Sequence, residues 1–71
     1  MNITPEQVQK VLSGNYSFSQ LGFSMLVTRL KNIYEDEPTQ YTLKSCTREV
    51  NAFLGKYGNF MAADCAIITD L

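Results

Sequence analysis

The sequence predicts a small all-α protein, a bundle of three or four helices in which the two long helices form an antiparallel hairpin. Apolar residues recur at three- and four-residue steps along two long segments, as they do on one face of a helix. Proline, glycine and capping residues divide the chain into helix-length pieces, and no long segment alternates with period two as a strand does. A chain of 71 residues is expected to form one domain, residues 1–71.

The first helix is predicted to begin just after Thr4. Residues 4–7, Thr-Pro-Glu-Gln, place a hydroxyl at the N-cap, a proline at the first helical position and a glutamine three residues after the cap. Val8, Val11 and Leu12 give the helix a single apolar stripe, and residues 13–15, Ser-Gly-Asn, end it. A helix of about nine residues is not stable alone, so it must pack against the others.

The second helix is predicted to begin near Ser17 or Ser19 and to run to about Tyr34. Its apolar stripe consists of Phe23, Leu26, Val27, Leu30, Ile33 and Tyr34. Gly22 weakens the helix by up to about 1 kcal/mol relative to alanine and suggests a close helix crossing. Residues 35–38, Glu-Asp-Glu-Pro, form the connection, because proline disfavours the helical conformation of the residue before it and carboxylates oppose the dipole at a helix C-terminus.

The third helix is predicted to begin after Thr39 or Thr42 and to stop at Gly58. Its apolar stripe consists of Leu43, Cys46, Val50, Phe53 and Tyr57, widened by Leu54. Asn59 is the expected cap of a short fourth helix from about Phe60 to Ile68. Because that segment is apolar on nearly every side, we expect it to be enclosed rather than laid on a surface.

The C-terminal segment, residues 60–71, is the most apolar part of the chain. Nine of the twelve residues from 60 to 71 are apolar, but a membrane-spanning helix needs about 20 such residues, so no membrane contact is predicted. The segment is therefore buried either in the chain's own core or against another chain, and the sequence leaves both open. The candidate residues for a partner or dimer interface are Phe60, Met61, Ile67, Ile68 and Leu71.

Self-association or a protein partner is expected on grounds of size. A chain this short buries only about 60% of the surface that its unfolded form exposes, and small domains usually need extra support. Charged residues make up 18% of the chain, against about 25% in an average protein. A surface with few charges loses less solvation energy when it enters an interface.

The charges themselves are nearly balanced, with a formal net charge of −1. Glu35, Asp36 and Glu37 form an acidic run, and Lys44 and Arg48 lie four residues apart on the third helix. These five residues are candidate electrostatic contacts, for a basic patch on a partner or for phosphates. The sequence favours an exposed connector for the acidic run and a solvated helix face for the two cations, because connecting segments lie on the surface and so few cations do not favour a nucleic-acid surface.

The sequence predicts no enzyme, no metal site and no cofactor. It contains no histidine, which is the commonest general base and metal ligand. Cys46 and Cys65 do not form a metal-binding pair, and neither has a base nearby to activate it. The N-terminus does not resemble a secretory signal, so we expect a cytoplasmic protein whose cysteines are small core residues rather than a disulfide.

The resulting hypothesis is a non-catalytic helical module for protein–protein interaction or regulation, acting as a homo-oligomer or on a protein partner. The alternative is a small helix-turn-helix regulator of transcription, with a turn at Gly14 and a second helix carrying Ser24, Thr28, Arg29 and Asn32. That second helix is longer and more apolar than a recognition helix needs to be. The sequence therefore favours the interaction module.

Overall fold

The computed structural model, which describes residues 2–71, contains four α-helices. They are α1 (Pro5–Ser13), α2 (Leu21–Asp36), α3 (Gln40–Tyr57) and α4 (Ala62–Thr69), with one turn of 3-10 helix (Gly58–Phe60) between the last two. No strand is present in residues 2–71. The prediction of a small all-α bundle is confirmed.

Helix α1 begins with the predicted capping box. The backbone N–H of Gln7 donates to the Thr4 hydroxyl at 3.2 Å, and the Gln7 side chain accepts from the Thr4 N–H at 2.9 Å. At the other end, the Lys31 ammonium of α2 donates to the Gly14 carbonyl at 2.8 Å. Because α1 packs against α2, α3 and α4, tertiary contacts stabilise a helix too short to form alone.

Helices α2 and α3 form the predicted antiparallel hairpin. Residues 37–39 connect them. Phe23 is near the start of α2 and Phe53 is near the end of α3, and their ring centroids are 5.6 Å apart. Further along, Arg29 forms a 2.6 Å ion pair with Glu49. As the residue number rises on α2, the number of its neighbour on α3 falls, so the two helices run in opposite directions.

The beginning of α2 differs from the prediction. The helix starts at Leu21 rather than near Ser17 or Ser19, and the side chain of its N-cap, Gln20, makes no capping hydrogen bond. The capping carboxylate comes instead from Asp64 on α4. A cap supplied by a distant residue leaves no signal beside the helix, so the local serines were misleading.

The buried stripe of α3 is also rotated from the predicted one. Phe53 is half-buried and Tyr57 is exposed, whereas Leu54 is buried. At about 100° per residue, Phe53 lies about 80° from Leu43 around the helix, and Leu54 returns to within about 20°. Strict three- and four-residue steps drift around an α-helix, and Leu54 therefore takes the central position.

Helix α4 is shorter and less enclosed than predicted. It begins at Ala62, because residues 58–60 form the 3-10 turn. One side, with Cys65 and Ile68, is buried, but Ala62, Ala63 and Ala66 face solvent, so the expectation of full enclosure was wrong. Alanine loses little free energy on exposure because its side chain is a single methyl group.

A single apolar cluster joins the four helices. The Asn51 side chain of α3 fixes the N-terminal segment against it, accepting from the Ile3 N–H at 2.7 Å and donating to the Ile3 carbonyl at 2.9 Å. The buried members of the cluster are Ile3, Val8, Val11, Leu12, Phe23, Val27, Leu30, Leu43, Cys46, Val50, Leu54, Met61, Cys65 and Ile68. In residues 2–71, none of the helices combines the length and apolar character that crossing a membrane requires.

Candidate interaction surface

The five C-terminal candidate residues fall into two environments. Met61 and Ile68 are 3% and 1% exposed and belong to the chain's own core. Ile67 and Leu71 are partly buried, and Leu71 packs against the same cluster. Phe60 is 77% exposed. The apolar segment is therefore mainly intramolecular core, and Phe60 is the member that remains fully available to a partner.

The candidate electrostatic residues are all on the surface. Glu35 and Asp36 are the last residues of α2, which ends later than predicted, and Glu37 follows them in the turn. Lys44 and Arg48 lie on the exposed side of α3. None of them forms an ion pair in the described part of the chain. In the described residues, the acidic run and the two cations are therefore solvated and not paired with each other.

An apolar face surrounds the place where α2 begins and α3 ends. Leu21 and Met25, one turn apart on α2, are 72% and 64% exposed. The Gln20 side chain, next to Leu21, donates to the Phe60 carbonyl at 3.4 Å and so joins the start of α2 to the 3-10 turn. We call Leu21, Met25, Phe53, Tyr57 and Phe60 the apolar face.

A groove of about 430 Å³ lies within this face. It is lined by Gln20, Gly22, Phe53, Tyr57, Phe60 and Met61. A β-carbon added at Gly22 would lie 3.6 Å from the Phe53 ring, which is an ordinary contact. The prediction that Gly22 permits a close helix crossing is therefore wrong. Its effect is to leave the α2 wall of the groove without a side chain.

The groove continues along the seam between α2 and α3. A neighbouring hollow of about 330 Å³ shares Phe53 and Tyr57 with it and extends to Arg29 and Glu49. The Phe53 and Tyr57 ring centroids are 4.8 Å apart, so the shared floor is aromatic. On the rim, the Lys56 ammonium lies 5.3 Å from the centroid of the Tyr57 ring. The face is consequently apolar at its centre and charged only at its edge.

Asp64 holds the structure next to this face. Its side chain is 1% exposed, and it accepts from the Ser19 N–H at 2.8 Å, the Ser19 hydroxyl at 3.0 Å and the Gln20 N–H at 3.0 Å. Burial raises the pKa of Asp64, but the hydrogen bonds from Ser19 and Gln20 outweigh burial and hold the pKa below its ordinary value. The carboxylate therefore stays charged at the positive end of α2.

Sequence reasoning missed Leu21, Met25 and Asp64. Leu21 and Met25 sit outside the stripe formed by Phe23 and Val27, and two apolar residues one turn apart on the opposite side of an amphipathic helix are a detectable signal. Asp64 is an acid within an apolar segment, and such a residue is seldom buried without partners. These two local anomalies were the available clues.

Both cysteines are free and buried. Burial raises the pKa of the Cys46 thiol, nearby Glu49 raises it further, and Arg29 partly opposes them. Cys46 therefore remains a protonated thiol at neutral pH and is a poor nucleophile. In residues 2–71, no group of three His, Cys, Asp or Glu side chains is placed to hold a metal ion.

No known protein family, curated protein or solved structure matches this chain. The geometry of the apolar face is therefore the feature from which we infer a function.

Proposed function

We propose that this chain is a non-catalytic protein-interaction module that binds through the apolar face. The observation that carries the proposal is the exposure of Phe60 on the wall of an aromatic-lined groove, with Leu21 and Met25 also exposed on the first turns of α2. Exposed apolar residues scattered singly are normal, but several of them near an aromatic groove are typical of a binding surface. Aromatic and methionine side chains are also enriched at the centres of protein interfaces.

The lining of the groove supports binding rather than catalysis. Of its six residues, only Tyr57 and Gln20 carry a polar side-chain group, a phenol and an amide. A catalytic centre usually pairs a nucleophile or general acid with a base at hydrogen-bond distance. The proposal includes a cytoplasmic location, which the two free, buried thiols support because reducing compartments keep cysteines unpaired.

DNA binding is the second candidate function. Lys44, Arg48 and Lys56 are all exposed on α3, and a row of cations can contact phosphates. Two features oppose this function. Residues 14–20 separate α1 from α2, whereas the turn of a helix-turn-helix has three or four residues. At the α2–α3 turn, the carboxylates of residues 35–37 would repel a phosphate backbone.

Site-specific photo-crosslinking in cells that produce the chain tests the interaction function. A photo-crosslinking phenylalanine analogue at Met25 should give protein adducts, and the additional change Phe60→Ser should remove them. The matched control places the analogue at Tyr41, which is 76% exposed but lies outside the apolar face. Adducts at neither position, or equally at both, would contradict the proposal.

The solution mass of the chain with and without duplex DNA separates the two candidate functions. We expect no change on adding DNA. A complex that weakens steeply with salt and disappears in the double variant Lys44→Ala, Arg48→Ala would instead establish nucleic-acid binding.

A further inference from the structure

We infer that the occupant of the groove is a second copy of this chain, in a two-fold symmetric dimer where Phe60 of each copy inserts into the groove of the other. The inference rests on the proposed function, because it names the partner of the same apolar face. Two-fold interfaces join identical patches, so a patch that supports one must carry both members of each contact.

The apolar face carries both members. Phe60 is the projecting member, since 77% of it is exposed although its own backbone carbonyl is held by Gln20. The receiving member is the adjacent groove, where Gly22 contributes no side chain and Phe53 and Tyr57 form an aromatic floor. Phe60 forms part of the groove wall and does not fill the groove of its own copy.

The groove is large enough for a phenyl ring. Its volume is about 430 Å³. A closed apolar cavity of about 150 Å³ already admits benzene in another protein. Stacking on Phe53 and Tyr57 would place the incoming ring against aromatic side chains, which pair favourably in tilted and offset arrangements. The same groove therefore receives Phe60 without rearrangement of the helices.

The charges around the face permit two copies to meet. Arg29 and Glu49 neutralise each other at 2.6 Å, so Lys56 is the rim charge that has no opposite partner in the described structure. The acidic run is distant, because Asp36 lies 15 residues beyond Leu21 on α2, a rise of about 22 Å. A strongly charged partner gains little on such a face, and two identical copies experience little repulsion.

The distribution of exposed apolar side chains also favours a dimer. The chain exposes 4571 Å². A standard interface buries about 800 Å² per partner, roughly one sixth of that surface. Among residues 2–71, seven large apolar residues are exposed, and four of them, Leu21, Met25, Tyr57 and Phe60, lie on the apolar face. An interface of standard size centred there removes most of the exposed large apolar side chains from water.

Sedimentation equilibrium of the purified chain over a wide concentration range tests the inference. The parent should be dimeric at high concentration. Phe60→Ser removes the projecting group and Gly22→Leu fills the groove, and each should raise the dimer dissociation constant about tenfold or more. The controls are Tyr41→Ser, on another exposed surface, and Gly55→Leu, where an added β-carbon meets nothing within 4 Å. Both controls should keep the parental dissociation constant.

Mixing the two variants tests the insertion itself. A mixed dimer keeps one of the two contacts, the Phe60 of the Gly22→Leu copy in the groove of the Phe60→Ser copy, which retains Gly22 and its aromatic floor. Either variant alone keeps neither contact. The mixture should therefore dimerise more tightly than either variant. A monomeric parent, a dimer indifferent to both changes, or a mixture no tighter than its components would each overturn the inference.

The photo-crosslinking experiment separates this inference from the proposed function. Adducts at Met25 between two differently tagged copies support both. Adducts solely to another protein leave the proposed function standing and overturn the two-fold dimer. The absence of protein adducts overturns both.

Discussion

Asp64 on α4 accepts two hydrogen bonds from Ser19, one from its N–H at 2.8 Å and one from its hydroxyl at 3.0 Å. The two residues are 45 positions apart in the chain. Since Gln20, the N-cap of α2, donates to the same carboxylate, the start of α2 depends on the placement of α4. One buried carboxylate thus ties the last helix to the edge of the apolar face. We call Asp64 and its hydrogen bonds to Ser19 and Gln20 the clamp.

The first prediction concerns that carboxylate. Asp64→Ala should cost about 1 to 3 kcal/mol of unfolding free energy, because it leaves the N–H groups of Ser19 and Gln20 without their acceptor. Urea denaturation followed by circular dichroism measures the change. Asp70→Ala is the matched control, since Asp70 is exposed, and it should change stability by less than about 0.5 kcal/mol. Equal effects at both positions would contradict the clamp.

The second prediction is a dependence of stability on pH. The pKa of Asp64 is lower in the folded chain than the ordinary value of 3.8. As pH falls, the unfolded state therefore binds the proton first. The stability that Asp64 contributes is complete above about pH 5 and is lost as pH falls through the folded pKa. Denaturation midpoints measured from neutral to acidic pH should fall in the parent. In Asp64→Asn the midpoint should fall less than in the parent. A variant whose midpoint falls with pH as steeply as the parent's would argue against an ionised carboxylate at Asp64.

The clamp shows why the start of one helix could be predicted from the sequence and the start of another could not. Helix α1 was predictable because its whole cap lies within residues 4–7, where one side chain and one backbone group bond to each other. Helix α2 was placed too early because its capping carboxylate, Asp64, belongs to another helix. Periodic apolar residues predict which elements exist, whereas contacts between distant residues decide where an element begins.

The candidate surface was only partly predictable for a similar reason. Phe60 was anticipated because it belongs to an apolar segment, but the same reasoning grouped it with Met61 and Ile68, which are core. Composition cannot distinguish the exposed residue from the buried ones, because the 3-10 turn before α4 determines which side chains face the core. Leu21 joins Phe60 in one face only because α2 and α3 are antiparallel.

The third prediction compares two glycines. Gly55 lies within α3 and an added β-carbon there meets nothing within 4 Å, so Gly55→Ala should stabilise the chain by about 0.5 to 1 kcal/mol through helix propensity. At Gly14 the added carbon would collide with the Tyr16 ring and lie 3.0 Å from the Lys10 carbonyl. Gly14→Ala should therefore destabilise by about 1 kcal/mol or more. Thermal unfolding of both variants checks the opposite signs.

The fourth prediction concerns the thiols. Cys46 and Cys65 are buried, so both should react slowly with an aromatic disulfide reagent in the native state and rapidly in urea. The double change to alanine should destabilise the chain modestly and leave any self-association intact, because neither residue lines the groove. Rapid native-state reaction at neutral pH would instead indicate an accessible, functional thiol.

The fifth prediction uses two adjacent isoleucines to test the C-terminal core. Ile68 is 1% exposed, so Ile68→Ala should cost about 2 to 5 kcal/mol, which approaches the whole stability of so small a chain. Ile67 is only partly buried, and Ile67→Ala should cost about 1 kcal/mol. Because Ile68 lies in the chain's own core, its variant should unfold without first dissociating, as unfolding curves at several protein concentrations would show. A larger loss at Ile67, or a variant of Ile68 that stays folded and merely becomes monomeric, would place the segment at a subunit interface.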